Sequence, residues 1–358
     1  MITPARAGNW TESDKGRTNM LAICDNRQLL HRPLTRLAGG RLAQNPEQPE
    51  RIDLLKQGLA AIGVQPVSPT DHGLAKIAAI HDDDYLDFLR NGFAEWKSSP
   101  ANGPEMRASV HPTVQMNRKP VDILGRAGYY QADASCVLLD GSWEALYASA
   151  NTAIDAMVRV LEGEEKAYAL CRPPGHHAYA DKAGGFCYLN NTAIAAELAA
   201  RRGLRVAIID VDVHHGNGTQ SIFYERSDVL TLSVHGDPAH LYPYYAGYED
   251  EGGKGQGIGF NRNFPVPLHS DSETYLAAVD AACAAAQSFS PDVLIVALGL
   301  DAASSDPFAC MNVDDDGFKR MGEQLGGLSA KTLVVQEGGY PSPSLPLLLQ
   351  SFLTGLAA

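Results

Sequence analysis

Paired cysteines are missing from this sequence. Its 358 residues include six cysteines (Cys24, Cys136, Cys171, Cys187, Cys283, Cys310), none in a CxxC spacing. That argues against a disulfide framework and against a cysteine-bound structural zinc. Positive charge is also in deficit: 29 Lys and Arg against 42 Asp and Glu leave a net −13, a field that repels nucleic-acid phosphate and favours cationic ligands. Apolar runs such as Val293–Leu298 fall well short of a bilayer span, so no transmembrane segment is expected. The first residues carry no charged-then-apolar stretch with a small-residue cleavage site, so a cytoplasmic setting is expected. With 45% hydrophobic and 20% charged residues, the composition is that of a globular chain rather than a disordered or fibrous one.

Residues 1–19 are polar and aperiodic and read as an N-terminal extension. No internal repeat or interdomain linker breaks 20–358, so a single α/β domain is expected there. Ile52, Leu54, Leu55, Leu59 and Ile62 recur at helical spacing, a second helix is expected around Asp84 to Trp96, and alanine-rich helical patterns follow at Trp143–Glu162, Asn191–Arg202 and Ser272–Ser288. The proline-punctuated stretch from Lys97 to Pro120 lacks periodicity and reads as a long loop, of a length usually functional or intermolecular. Five short apolar runs, at 167–171, 205–211, 229–234, 293–298 and 332–336, read as buried strands. Strands alternating with helices imply a central parallel sheet with helices on both faces.

The polar segments at the strand ends carry the chemistry: RPPGHH (172–177), DVHHGNG (212–218), HGD (235–237), GLD (299–301) and EGGY (337–340). In open parallel sheets the ligand crevice lies outside the carboxyl ends of the strands, so these segments should converge. Asp210, Asp212 and His214 differ by two positions each and point one way on an extended chain, while Ile209, Val211 and Val213 point the other. Asp212 and His214 can share a metal ion, and Asp301 from another strand end would supply a third ligand. Two carboxylates and an imidazole leave a coordination position free, as a catalytic zinc site requires. A lone DxH is equally well a hydrogen-bonded pair in a turn; the number of polar strand ends favours the metal.

His176 and His177 follow a turn stiffened by Pro173 and Pro174, and neighbouring histidines held near a metal can serve as acid and base. Asp210 and Asn217 are the candidates for orienting them. Tyr340 follows Gly338 and Gly339, and its hydroxyl can donate to a developing oxyanion. The glycines of 252–259 lack the flanking strand and helix of a nucleotide loop and are not read as one.

Together RPPGHH, GGFCYLNN (184–191), DVDVHHGNGTQ, GLDAASSDP (299–307) and EGGY resemble the zinc-dependent histone deacetylase superfamily, most of all its acetylpolyamine amidohydrolase branch. The resemblance runs from about Met20 to the C-terminus. It implies the arginase/deacetylase fold and a catalytic Zn2+ on Asp212, His214 and Asp301, with Fe2+ or Co2+ also compatible with such a donor set. It further implies His177 as general base and acid, His176 as its electrostatic partner, and Tyr340 as donor to the substrate carbonyl. Asp210 would orient His176, and Asn217 would orient His177. A structural K+ is implied near Asp210, Asp212, His214, Ser233 and Val234. Phe186, Tyr242 and Gly185 would wall a narrow acyl-lysine-like tunnel.

The implied reaction is hydrolysis of a short acyl group, acetyl foremost, from a small acylated amine. Nucleic acid and membrane are not expected partners, and the 97–120 loop resembles a segment that pairs subunits and narrows the mouth, implying a homodimer. Where polyamine-selective relatives carry glutamates, this chain has Leu124 and Ser135; Asp122 or Asp133 would have to substitute, or else are ordinary helix-end charges. Three rivals remain. A two-manganese ureohydrolase lacks its extra carboxylates here, because Gly216 follows His215 and Ala302 follows Asp301. A silent binding module would be expected to have lost Tyr340. A deacylase of protein lysines would differ in the openness of the mouth.

Overall fold

The computed structural model describes residues 20–358; the expected extension, 1–19, lies outside the described residues. Strand β1 (Leu21–Ile23) is followed by a hairpin, β2 (Thr35–Ala38) and β3 (Arg41–Gln44), and by helices α1 (Glu50–Ala61), α2 (Asp83–Trp96), α3 (Ile123–Tyr129) and α4 (Ser142–Glu162). Alternation then sets in: β4 (Lys166–Ala169), α5 (Asn191–Ala200), β5 (Val206–Asp210), α6 (Asn217–Phe223), β6 (Val229–Gly236) and β7 (Asn261–Val266). The chain ends with α7 (Ser272–Phe289), β8 (Val293–Leu298), α8 (Asp315–Gly326), β9 (Lys331–Gln336) and α9 (Leu345–Leu356). Between α2 and α3 there is no named helix or strand.

Seven strands form one sheet in the order β1-β4-β9-β8-β5-β6-β7, and every neighbouring pair is parallel. Strand periodicity sorts the core into two layers. Ala207 and Ile209 pack with α1, α7, α8 and α9 on one face, while Val206 and Ile208 pack with α4 and α5 on the other. A sheet covered on both faces must bury both sides of its strands, which is why β5 and β8 are buried at every position. Side-chain caps start the helices that follow loops: Asn190 accepts from Ala193 N–H for α5, Asp271 from Thr274 N–H for α7 and Asp314 from Gly317 N–H for α8.

The expected helices and five strands are present with ends shifted by a few residues; the strand expected at 167–171 ends at Ala169. Sequence periodicity missed β1, which has only three residues, and β7, which contains Pro265. Proline is tolerated in β7 because this strand is a sheet edge.

Candidate active site and metal centre

The sheet order places the ends of β4, β9, β8, β5 and β6 side by side. They deliver, respectively, His176 and His177, Tyr340, Asp301, the Asp210–Asp212–His214 series, and Ser233. His214 Nδ1 lies 3.2 Å from Asp212 Oδ1 and 3.2 Å from Asp301 Oδ2. Backbone amides aim both carboxylates: Gly338 N–H donates to Asp212 Oδ2 at 2.7 Å and Val213 N–H to Asp301 Oδ1 at 3.1 Å. Gly338 is required by this packing, since a Cβ there would overlap both carboxylates. The three residues offer ligand atoms within 4.8 Å of one another.

One of those atoms, Asp301 Oδ2, is buried without a hydrogen-bond partner. Burial and then the neighbouring Asp212 charge push the Asp301 carboxyl upward from its ordinary pKa. A divalent cation between these groups satisfies the orphaned oxygen and cancels the repulsion, so the residues fit a metal.

The two histidines have opposite environments. His176 Nδ1 is 2.9 Å from Asp210 Oδ2, and its Nε2 is 3.8 Å from Asp212 Oδ1. Burial opposes its charge, but the Asp210 and Asp212 carboxylates win and raise its pKa to about 10. His177 Nδ1 faces Asn217 Oδ1 at 2.6 Å. Burial, followed by the charge of His176, holds its pKa well below the ordinary imidazole value. The ring centroids are 4.0 Å apart, so an imidazole whose surroundings favour the charged form lies beside one whose surroundings favour the neutral form. Gly185, at φ +54, leaves room for the His177 ring; a Cβ would overlap it.

A cavity of about 370 Å³ opens onto His177 and His214 and is lined by Gly185, Phe186, Tyr242, Phe308 and Tyr340 among others. Tyr242 stands edge-on to His177 at 4.9 Å between centroids, and Phe186 lies 5.9 Å from Tyr340. Tyr340 is buried, its phenol held neutral by burial, and Asp306 Oδ2 accepts its backbone N–H at 2.8 Å. In the candidate potassium set, Asp210 is the register partner of Ser233 across β5 and β6, and the Val234 carbonyl accepts from Tyr275 Oη at 3.0 Å.

Several residues here escaped sequence reasoning. Phe308 lies edge-on to both His214 and Tyr340, at 5.7 and 5.0 Å, and comes after the GLDAASSDP motif without any periodic signal. Glu337, the first residue of EGGY, accepts the N–H groups of Gly175 and His176 at 2.6 and 3.0 Å and the Thr192 hydroxyl at 2.7 Å. It thereby clamps the turn that carries both histidines. Asp133 accepts the Tyr242 hydroxyl at 2.6 Å and Gly185 N–H at 3.0 Å, bracing the tunnel wall, whereas Asp122 caps α3 by accepting Leu124 N–H. Ser135 lines the cavity and Leu124 is exposed.

Residues 45–356 match the family model of the histone deacetylase domain. The chain belongs to the histone deacetylase family. Within that family it is similar to the acetylpolyamine amidohydrolase of Burkholderia pseudomallei, 44% identical over 340 residues that cover 95% of this chain and 99% of that one. It is also similar to acetylpolyamine amidohydrolase 2 of Pseudomonas aeruginosa, 41% identical over 339 residues, covering 94% and 98%. The crystal structure of an acetylpolyamine aminohydrolase from Burkholderia pseudomallei matches the fold with a TM-score of 0.91 at 43% identity, covering 95% and 99%. The chain is thus a hydrolase of a metal-dependent family, and Asp212, His214 and Asp301 are a group that could hold such an ion.

Proposed function

We propose that this histone deacetylase-family chain is a zinc-dependent amidohydrolase that removes an acetyl or other short acyl group from small acylated amines, acetylpolyamines first among them. The observation that carries the reading is the convergence of Asp212, His214 and Asp301 beside two histidines, His176 facing the Asp210 carboxylate and His177 the Asn217 carboxamide, at the base of an aromatic-lined cavity. The relatives named acetylpolyamine amidohydrolases support the choice of amine.

Asp212, His214 and Asp301 hold the divalent ion, which when bound supplies Lewis acidity toward the acyl carbonyl. His177 is the base: its Nδ1–H is committed to Asn217, leaving Nε2 to take a proton from the attacking water. The same nitrogen returns that proton to the leaving amine, giving a carboxylate and a free amine. His176, kept protonated by Asp210, contributes a fixed positive charge beside the developing oxyanion. Tyr340 donates its hydroxyl to that oxygen. Phe186 and Tyr242, with Gly185, enclose the alkyl stem and exclude water.

Three more features belong to this reading. A structural K+ is assigned to Asp210, Asp212, His214, Ser233 and Val234. A homodimer is assigned to the 97–120 segment, whose Val110, Val114 and Met116 are exposed. A cytoplasmic setting without nucleic-acid or membrane partners accords with the net charge of −13; no helix among the described residues is long and apolar enough to cross a membrane.

The test is hydrolysis by zinc-loaded protein of acetylated polyamines and of acetyl-lysine peptides, with Tyr340→Phe alongside. Acetylated polyamines should be turned over faster than peptides, and Tyr340→Phe should lose about 10² to 10³ in kcat. Near-normal turnover in that variant would remove the tyrosine from the mechanism, and faster peptide turnover would reassign the substrate.

A further inference from the structure

Among the described residues that line the aromatic cavity, Arg36 is the single Arg, Lys, Asp or Glu. It sits on β2, opposite Ala43 of β3. Its guanidinium carbon lies 4.8 Å from the centroid of Phe308, the ring that also stands 5.7 Å from His214 and 5.0 Å from Tyr340. One aromatic ring therefore separates a positive charge from a metal ligand and the oxyanion donor. That charge is unanswered: Arg36 Nε is buried without a hydrogen-bond partner, and among the described residues no carboxylate pairs with the guanidinium. Arg36 also borders a second cavity, of about 420 Å³, where Glu50 lies, but the two form no ion pair. The strand that carries Arg36 is anchored. Leu34 N–H and the Thr35 hydroxyl donate to the Glu105 carboxylate at 2.6 and 2.7 Å, and Arg107 Nη2 donates to Thr35 O at 2.7 Å.

We propose that Arg36 is an anion subsite of this cavity and gives the site a second class of substrate alongside acetylated polyamines: acylated ω-amino acids, bound with the amide at Asp212, His214 and Asp301 and the free carboxylate at Arg36. A guanidinium stacked on an aromatic ring, with its hydrogens unclaimed, is preorganised to hold a carboxylate by two parallel hydrogen bonds. An ammonium at the same reach meets that guanidinium and no lining carboxylate. Asp133, the acid behind the tunnel wall, does not line the cavity; it is taken up by the Tyr242 hydroxyl and Gly185 N–H. The net charge of −13 slows the approach of any anion, but a contact pair is decided by the charges within a few ångströms of it. The reaction is the one already derived. Water adds across the amide C–N bond, the carbonyl leaves as acetate, the nitrogen takes the proton, and the ω-amino acid is released with no further reactant.

The inference rests on the amidohydrolase reading, and the experiment separates the two. Three acetamides of matched chain length serve as probes for the zinc-loaded full chain: 6-acetamidohexanoate, N-acetylcadaverine and N-hexylacetamide, which end in a carboxylate, an ammonium and a methyl group. The parent protein should hydrolyse 6-acetamidohexanoate with a KM about tenfold below that of N-hexylacetamide. The ratio of kcat/KM for the carboxylate substrate to that for the ammonium substrate should fall about tenfold in Arg36→Gln and about a hundredfold in Arg36→Glu, chiefly through KM. Arg36→Lys keeps the charge without the planar fork, and its ratio should fall less than in Arg36→Gln. A purely structural role of the hairpin would lower turnover of all three probes together and leave the ratio where it was. An unchanged ratio in Arg36→Glu would overturn the proposal, as would failure to hydrolyse 6-acetamidohexanoate in a preparation that hydrolyses N-acetylcadaverine. Failure on all three probes would instead overturn the amidohydrolase reading itself.

Discussion

Two clusters of buried charge lie close to each other in this molecule and are built on opposite plans. In the first, Glu47 is enclosed between Arg51 and Arg172, all three buried. Arg51 Nη1 donates to Glu47 Oε1 at 2.9 Å and Arg172 Nη2 to Oε2 at 3.0 Å. Other guanidinium hydrogens reach main-chain oxygens of Gly339, Gln28 and His31. In the second, at the strand ends, Asp210, Asp212, Asp301 and Glu337 crowd around imidazoles, and Asp301 Oδ2 is left without a partner. The first cluster is closed in the sense that two guanidiniums hold its one carboxylate, even though Arg172 Nε has no hydrogen-bond partner, and it ties N-terminal chain to the β4 and β9 ends; the second gathers four carboxylates and so can recruit a cation. Removing a carboxylate should therefore have opposite consequences in the two places.

The largest effect expected is at the open cluster: Asp212→Ala or His214→Ala should abolish turnover while the circular dichroism spectrum is retained. Measurable turnover at parental zinc content would break the contrast. At the closed cluster, Glu47→Ala leaves two buried guanidiniums without their counter-ion and should cost about 3 to 5 kcal/mol of stability, read by urea unfolding. A loss below about 1 kcal/mol would show the cluster to be hydrated rather than closed.

A pH effect should arise from the structural histidine His81. Its Nε2 accepts Asn190 N–H at 2.9 Å while Nδ1 faces Ala180 O at 3.2 Å, and burial holds its pKa down to about 4. The unfolded chain takes up this proton first, near pH 6.5. Stability is therefore full above that pH and falls as pH drops toward 4, by at most roughly 3 kcal/mol from this group. An NMR titration that finds the His81 ring protonating near its ordinary value would contradict this. The smallest effect sharpens the comparison most: in metal-stripped protein, Asp301→Asn should raise stability by about 1 kcal/mol, because it removes a buried repulsion that function requires. A destabilisation there would place Asp301 in the same class as Glu47.

Legibility in the sequence divides along the same line. The open cluster was readable because its residues are local to strand ends: Asp210, Asp212 and His214 share one face by strand alternation, and the apolar runs before RPPGHH and EGGY mark where the polar groups emerge. The closed cluster was not readable, since Glu47 and Arg172 are separated by 125 positions and neither lies in a pattern that points to the other. Helix α8 carries a legible signal that the expected helices did not include, for Phe318, Met321 and Leu325 recur at helical spacing and are buried together. Helix α9 is harder: LPLLLQSFLTGL is apolar nearly throughout, and a short apolar run has no period to separate helix from strand. Phe308 became part of the cavity wall through tertiary packing alone.

The proposed chemistry requires one divalent ion per chain, held by Asp212, His214 and Asp301. Equilibrium dialysis of the metal-stripped protein against zinc, with bound metal counted by mass spectrometry, tests it most directly. One tightly bound ion is expected in the parent chain and none in Asp301→Ala. Two ions per chain, or full occupancy in that variant, would contradict it.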